Sequence, residues 1–176
     1  MAWSTPDNYT AGQTLTAASM QKISDDLNAL YASQRLLGYT TQSTTAGVST
    51  TAAAPVNRLF PTSITFTADG TSAYVVEVDI PYLSSATNAG AYVVLYLCDN
   101  SGAVYATSGG NALGFSPQGN GTQAGLGSFY ARFRWTPTAG SKTVNVGATH
   151  AVAAGSIGST SATMLASLAI YGPDIA

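Results

Sequence analysis

The sequence predicts a mainly β protein, an antiparallel β-sandwich preceded by one N-terminal α-helix. Three observations lead there. From about residue 56 onward, apolar and polar residues alternate over short runs separated by Gly, Pro, Asp and Asn, with no helical period between them. Ahead of these runs, a single segment without Gly or Pro carries its large apolar residues at helical spacing. Ala, Gly, Ser and Thr supply about half of the 176 residues, while charged residues make up 8%, against roughly 25% in a typical soluble domain. Solubility then comes from hydroxyls and backbone, a composition that favours short strands and many turns.

The elements follow in order. Residues 1–15 form an extended lead punctuated by Trp3, Pro6, Tyr9 and Gly12. Thr16 is able to N-cap a helix, and no Gly or Pro follows until Gly38, so the predicted helix covers 16–38. Its apolar residues Met20, Ile23, Leu27, Leu30 and Leu37 alternate in steps of three and four through Gln34, the a/d pattern of a coiled coil. A helix of this length is marginal alone, which favours a short oligomeric bundle of three copies, with polar Gln34 setting register. The competing reading docks the same stripe on the chain's own β-domain. Residues 39–58 are uncharged apart from Arg58 and rich in Thr and Ser, as in a linker or extended arm, although threonines also permit an edge strand.

The head domain, 59–176, holds the strands. Ser63–Thr67 alternates and ends at the turn signal Asp69-Gly70, and Tyr74–Ile80 alternates up to Pro81. Ala91–Cys98 is apolar on both faces and reads as a central strand, turned by Asp99-Asn100-Ser101-Gly102 into a hairpin with Ala103–Ala106. Residues 107–126 hold six glycines without a regular period and read as a long surface loop. Ser128–Trp135, Thr143–Thr149 and Ala162–Tyr171 supply the remaining strands. Short strands at this spacing define a sandwich.

Charge and chemistry narrow the function. Six cationic residues, Lys22, Arg35, Arg58, Arg132, Arg134 and Lys142, form no basic stripe, so nucleic acid is not expected as a partner. The one cysteine, Cys98, lies in an apolar run and reads as a buried core thiol. No signal peptide is read at the N-terminus, which implies synthesis in the cytoplasm. No membrane span is expected either, because no run reaches about 18 continuous apolar residues. His150 has no second histidine for a metal site. Glu77 and Asp79 share one face of a strand, where solvent or an intersubunit ion pair with Arg132 or Arg134 is expected rather than an acid/base dyad. Neither a phosphate loop nor a nucleophile elbow is present, so no catalytic residue, cofactor or metal is expected and the chain reads as non-enzymatic.

Two blocks of sequence carry a resemblance. Trp3-Ser4-Thr5-Pro6, Ala11-Gly12-Gln13-Thr14-Leu15-Thr16-Ala17-Ala18-Ser19-Met20 and Ile23-Ser24-Asp25-Asp26-Leu27-Asn28-Ala29-Leu30 resemble the start of tailed-bacteriophage virion proteins, with Asp26 where asparagine is more usual. Arg134–Val144 and the closing Leu168-Ala169-Ile170-Tyr171-Gly172-Pro173 are similar to the last strands of trimeric jelly rolls in phage fibres and in heads of the tumour-necrosis-factor or C1q type, with Tyr171 where an acidic residue is usual. The resemblance implies a virion protein of the short-fibre, minor-tail or capsid-decoration kind. Trp3, Pro6 and Tyr9 would then lie in the segment that anchors to capsid or tail proteins, the helix would trimerise, and a jelly-roll head would face outward. Tyrosines and short hydroxyl side chains on such a head suit host surface glycans, with 107–126 as the place of contact. A monomeric carbohydrate-binding module or cell-surface adhesin is the alternative.

Overall fold

The computed structural model describes residues 16–33, 35–107, 112–159 and 164–174, with 29–33 and 174 as backbone only. One helix, α1 (Ala17–Ser33), precedes eleven strands: β1 (Leu36–Gln42), β2 (Thr45–Val48), β3 (Asn57–Arg58), β4 (Ile64–Ala68), β5 (Ala73–Ser84), β6 (Tyr92–Cys98), β7 (Ala112–Phe115), β8 (Leu126–Trp135), β9 (Gly140–Ala151), β10 (Gly155–Gly158) and β11 (Ala166–Asp174).

Every pairing is antiparallel, and the pairs are nested about the β6–β7 hairpin: β5 with β8, β3 and β4 with β9, β2 with β10, β1 with β11. A ribbon of paired strands wound in this way is a jelly roll. The first sheet runs β1-β11-β5-β10-β2 with β8 on the opposite side of β5; the second runs β3-β9-β6-β7 with β4 on β9. Strand β5 binds them together. Its alternate residues Tyr74, Val76, Val78, Ile80 and Leu83 point inward and are buried, meeting Val93, Leu95 and Leu97 of β6 and Val144 and Val146 of β9 in one core. Each such side chain contributes about 1.5–3 kcal/mol through the apolar surface it removes from water. At one end, Phe66 packs on Tyr74 and Trp135 at centroid distances of 4.8 and 6.3 Å, and Tyr105 packs on Trp135 at 5.0 Å.

Several predicted boundaries shift. Thr16 does cap the helix, its Oγ1 accepting the Ser19 amide at 3.1 Å, but α1 ends at Ser33 and not at Gly38. Leu36–Gln42 pairs with β11, so Leu37 is a half-buried residue against the sandwich core and no member of a helical seam. Gly38 is a point of close approach: a Cβ there would lie 2.3 Å from Cγ2 of Ile64. The expected linker 39–58 is largely sandwich, because its threonine-rich backbone satisfies the exposed edges of β11 and β10. Pro81 lies within β5 at a register irregularity between Ile80 and Leu83, where no ladder hydrogen bond is demanded of it. Strand β7 interrupts the expected loop 107–126. The hairpin after Cys98 reduces to one bridge with Val104, the turn being held by Asp99, whose carboxylate accepts the amides of Ser101 and Ala103 at 2.7 and 2.9 Å.

Candidate functional site

The outer face of the first sheet is built by period two alone. Residues that pair across antiparallel strands share a face, so the register sets three rows side by side: Leu36, Tyr171, Val75 and Arg134; Tyr39, Ala169, Glu77 and Arg132; Thr41, Ser167, Asp79 and Tyr130. Tyr39 and Tyr130 are 59% and 61% exposed, and Leu36, Asp79, Arg132 and Arg134 are exposed with them. This four-strand patch carries tyrosine and arginine side chains, residue types that concentrate binding energy in protein interfaces, beside exposed Leu36.

Glu77 sits at its centre. The Tyr130 hydroxyl donates to Oε1 at 2.9 Å and the Tyr171 hydroxyl to Oε2 at 3.3 Å. The hydrogen bond to Glu77 raises the Tyr130 hydroxyl above the ordinary phenol range; for Tyr171, burial comes first and the Glu77 charge second. Arg132, opposite Glu77 in the register, acts on both tyrosines in the reverse direction. The expected face of Glu77 and Asp79 is therefore present, with two tyrosine hydroxyls on Glu77 from the flanking strands. Strand β8 bounds the patch, and among the described residues no strand pairs with its second edge.

On α1, Met20, Ile23 and Leu27 are 54%, 42% and 59% exposed, so the described part of the seam is uncovered within one chain. The Leu30 side chain, Gln34, and Trp3, Pro6 and Tyr9 lie outside the described residues.

The other candidates scatter. Cys98 is fully buried, and burial pushes its thiol up to about 12. His150 lies near the end of β9 opposite Val93, with a buried Nδ1 that has no hydrogen-bond partner. Among the described residues no three His, Cys, Asp or Glu side chains gather as metal ligands.

A second surface lies where 85–91 and 116–125 meet. Tyr92 and Phe115 contact edge to face, with centroids 6.0 Å apart and an interplanar angle of 66°. With Ser116 and Gln118 they line an open depression of about 240 Å³. Phe115 and Gln118 fall in the glycine-rich segment flagged from sequence. Tyr92 was hidden by the apolar run of β6; the signal was a half-buried tyrosine at the very start of that strand.

No family model matches the chain, and no curated protein matches it. Among solved structures, the VP2 subviral particle of infectious bursal disease virus aligns with 79% of this chain and 33% of that chain at 11% identity and a TM-score of 0.33. The Gx strain of that virus aligns with 79% and 36% at 13% identity and a TM-score of 0.30. Its T13 viral particle aligns with 80% and 36% at 14% identity and a TM-score of 0.31. The chain thus spans about a third of the length of these viral-particle proteins.

Proposed function

We propose that the chain is a non-enzymatic structural component of a bacteriophage virion, a homotrimeric short fibre, minor tail or capsid decoration protein. Its N-terminal segment anchors it to capsid or tail proteins, and its sandwich head faces outward toward host surface glycans. The observation that carries this reading is the pair of uncovered surfaces, the Tyr39–Glu77–Tyr130 face and the Met20–Ile23–Leu27 seam. Both are richer in large apolar and aromatic groups than a solvent-facing surface requires, and both are covered at once if copies associate side by side through sheet and helix. The charges on the face balance, Glu77 and Asp79 against Arg132 and Arg134, so the edge strand of one copy meets a neighbour without net repulsion.

The test is the solution mass of the full chain by light scattering coupled to size exclusion, beside the Leu27→Asp and Tyr130→Asp variants. The expected mass is three times the 17.9 kDa chain, reduced in both variants. Loss in Leu27→Asp alone would assign the association to the helix, and loss in Tyr130→Asp alone to the sheet face. A monomeric mass for the unsubstituted chain overturns the reading in favour of a monomeric carbohydrate-binding module or adhesin.

A further inference from the structure

We infer that the depression formed by Tyr92, Phe115 and Gln118 is a subsite for one uncharged pyranose ring, a neutral hexose or N-acetylhexosamine. The inference deepens the proposed virion role and rests on it for the direction in which the site faces.

Position comes first. The backbone of Arg35, which follows α1, accepts a hydrogen bond from the Gly172 amide at 2.6 Å, and Leu36 is level with Tyr171 and Val75. At the other end of β5, Ser84 is level with Leu126 and Ser156. The nine steps from Val75 to Ser84 place these ends roughly 30 Å apart at the rise of a strand. Tyr92 opens β6 directly after 85–91, and Phe115 closes β7 directly before 116–125, so both lie at the end remote from the helix. A chain held by its N-terminus presents this end. Exposed Leu126 and Val152 lie there too, Val152 in a left-handed conformation with a φ of 69° beside the Ala151–Tyr92 pair.

The chemistry selects the ligand. Phe115 is 62% exposed. Its ring and that of Tyr92 meet at an angle and make an aromatic corner, whose electron-rich faces suit the C–H groups on the apolar side of a pyranose. The Gln118 amide supplies both donors and an acceptor for ring hydroxyls. No Asp, Glu, Lys or Arg occurs from 80 to 98 or from 100 to 131. These segments offer no cation to an acidic sugar or a phosphate, whereas a neutral sugar needs none.

The site is also held in shape. The Ser116 and Gly119 amides donate to the carbonyls of Val93 and Ala91 at 2.8 and 2.9 Å, and the Gly90 amide donates to Gly119 at 3.0 Å. The Ser116 hydroxyl accepts the Val93 amide at 2.9 Å. A Cβ at Gly119 would lie 2.1 Å from the Ala86 carbonyl oxygen, so only glycine lets the two segments approach this closely. Little ordering is left to occur on binding. One ring on an open surface gives a dissociation constant on the order of 1 mM, which several copies on one particle strengthen through multivalency.

Saturation-transfer NMR on the full chain tests this with methyl galactoside, methyl glucoside, methyl mannoside and N-acetylglucosamine, and with N-acetylneuraminic acid and inorganic phosphate as charged comparators. Transfer to at least one neutral sugar is expected, with the dissociation constant raised at least tenfold in Phe115→Ala and at least threefold in Gln118→Ala. Should Phe115→Ala fail to fold, Phe115→Leu takes its place, keeping bulk while removing the ring. Absence of transfer to all four neutral sugars, transfer that survives loss of the Phe115 ring, or binding of the charged comparators alone overturns the subsite. A chain that is trimeric and binds no sugar overturns the subsite and leaves the assembly standing; a monomer that binds one does the reverse.

Discussion

Single residues hold this sandwich together where the strand ladders do not reach. Asn145 is fully buried: its Oδ1 accepts the amides of Phe60 and Val146 at 3.1 and 2.8 Å, and its Nδ2 donates to the Phe60 carbonyl and the Ser63 hydroxyl at 3.0 and 3.1 Å. The side chain thereby ties the segment before β4 to β9. Asn145→Ala removes these bonds and strands polar groups in the core, an expected loss of about 2–4 kcal/mol, read as a lower urea midpoint at unchanged slope. Two aspartates set the acid response. The Asp69 carboxylate is held well below its ordinary range by hydrogen bonds from the Ser72 side chain and amide and from the Thr71 amide. At Asp99, burial acts upward, and the donors on Ser101, Ala103 and Gly102 outweigh it, so its carboxyl is also lowered. A carboxyl whose folded value is depressed contributes stability above the unfolded value of about 4, and that contribution fades as pH falls through the folded value. Unfolding followed from about pH 5 down to about pH 2 should therefore show a steeper loss in the native chain than in an Asp69→Asn, Asp99→Asn double variant.

At the scale of elements, Gly38 lies inside β1 and marks a close approach of two strands, not the end of the helix. A methyl group there meets buried Ile64 at 2.3 Å, whereas Gly47 on β2 has nothing within 4 Å of its added Cβ. Gly38→Ala should destabilise by about 1–3 kcal/mol and Gly47→Ala by less than about 0.5, measured as shifts in the denaturant midpoint. This contrast shows where sequence reading reached and where it stopped. The helix start was legible because Thr16 and the Ser19 amide are three residues apart and their bond is local. The helix end was not, because Leu37 continues the three-four spacing of the helix and no Gly or Pro stands between Thr16 and Gly38. What decides against helix is β11, far along the chain, whose edge needs partners for its backbone groups. Strands β4, β5, β8 and β9 were legible from alternation, and β6 from a run apolar on both faces. Strands β7 and β10 are four residues each and rich in glycine, too short for a period to show.

For the whole molecule, nested pairing joins the first strand to the last, so most contacts are non-local and folding is expected to be slow relative to a helical protein of this length. The same topology places α1 at one end of the sandwich and the segments 85–91 and 116–125 at the other. Assembly and recognition thus occupy separate surfaces in the functional proposal. If copies associate through the sheet face and the helix seam, unfolding releases free chains and mass action links stability to concentration. The melting temperature should then rise by about 5 °C across a roughly hundredfold increase in protein concentration, and should stay constant in a Leu27→Asp, Tyr130→Asp double variant, as calorimetry would show.

By itself the sequence determined the β class, the capped start of the helix, the burial of Cys98 and the uncharged stretches that border the Tyr92–Phe115 depression, because each depends on composition or on neighbours within a few residues. Only the tertiary structure decided that 36–48 belongs to the sandwich, that Tyr39, Tyr130 and Tyr171 share a face around Glu77, and that Tyr92 stands beside Phe115. These facts depend on strand register between distant segments, and with a side-chain period of two, a slip of one residue would send each of those side chains to the opposite face.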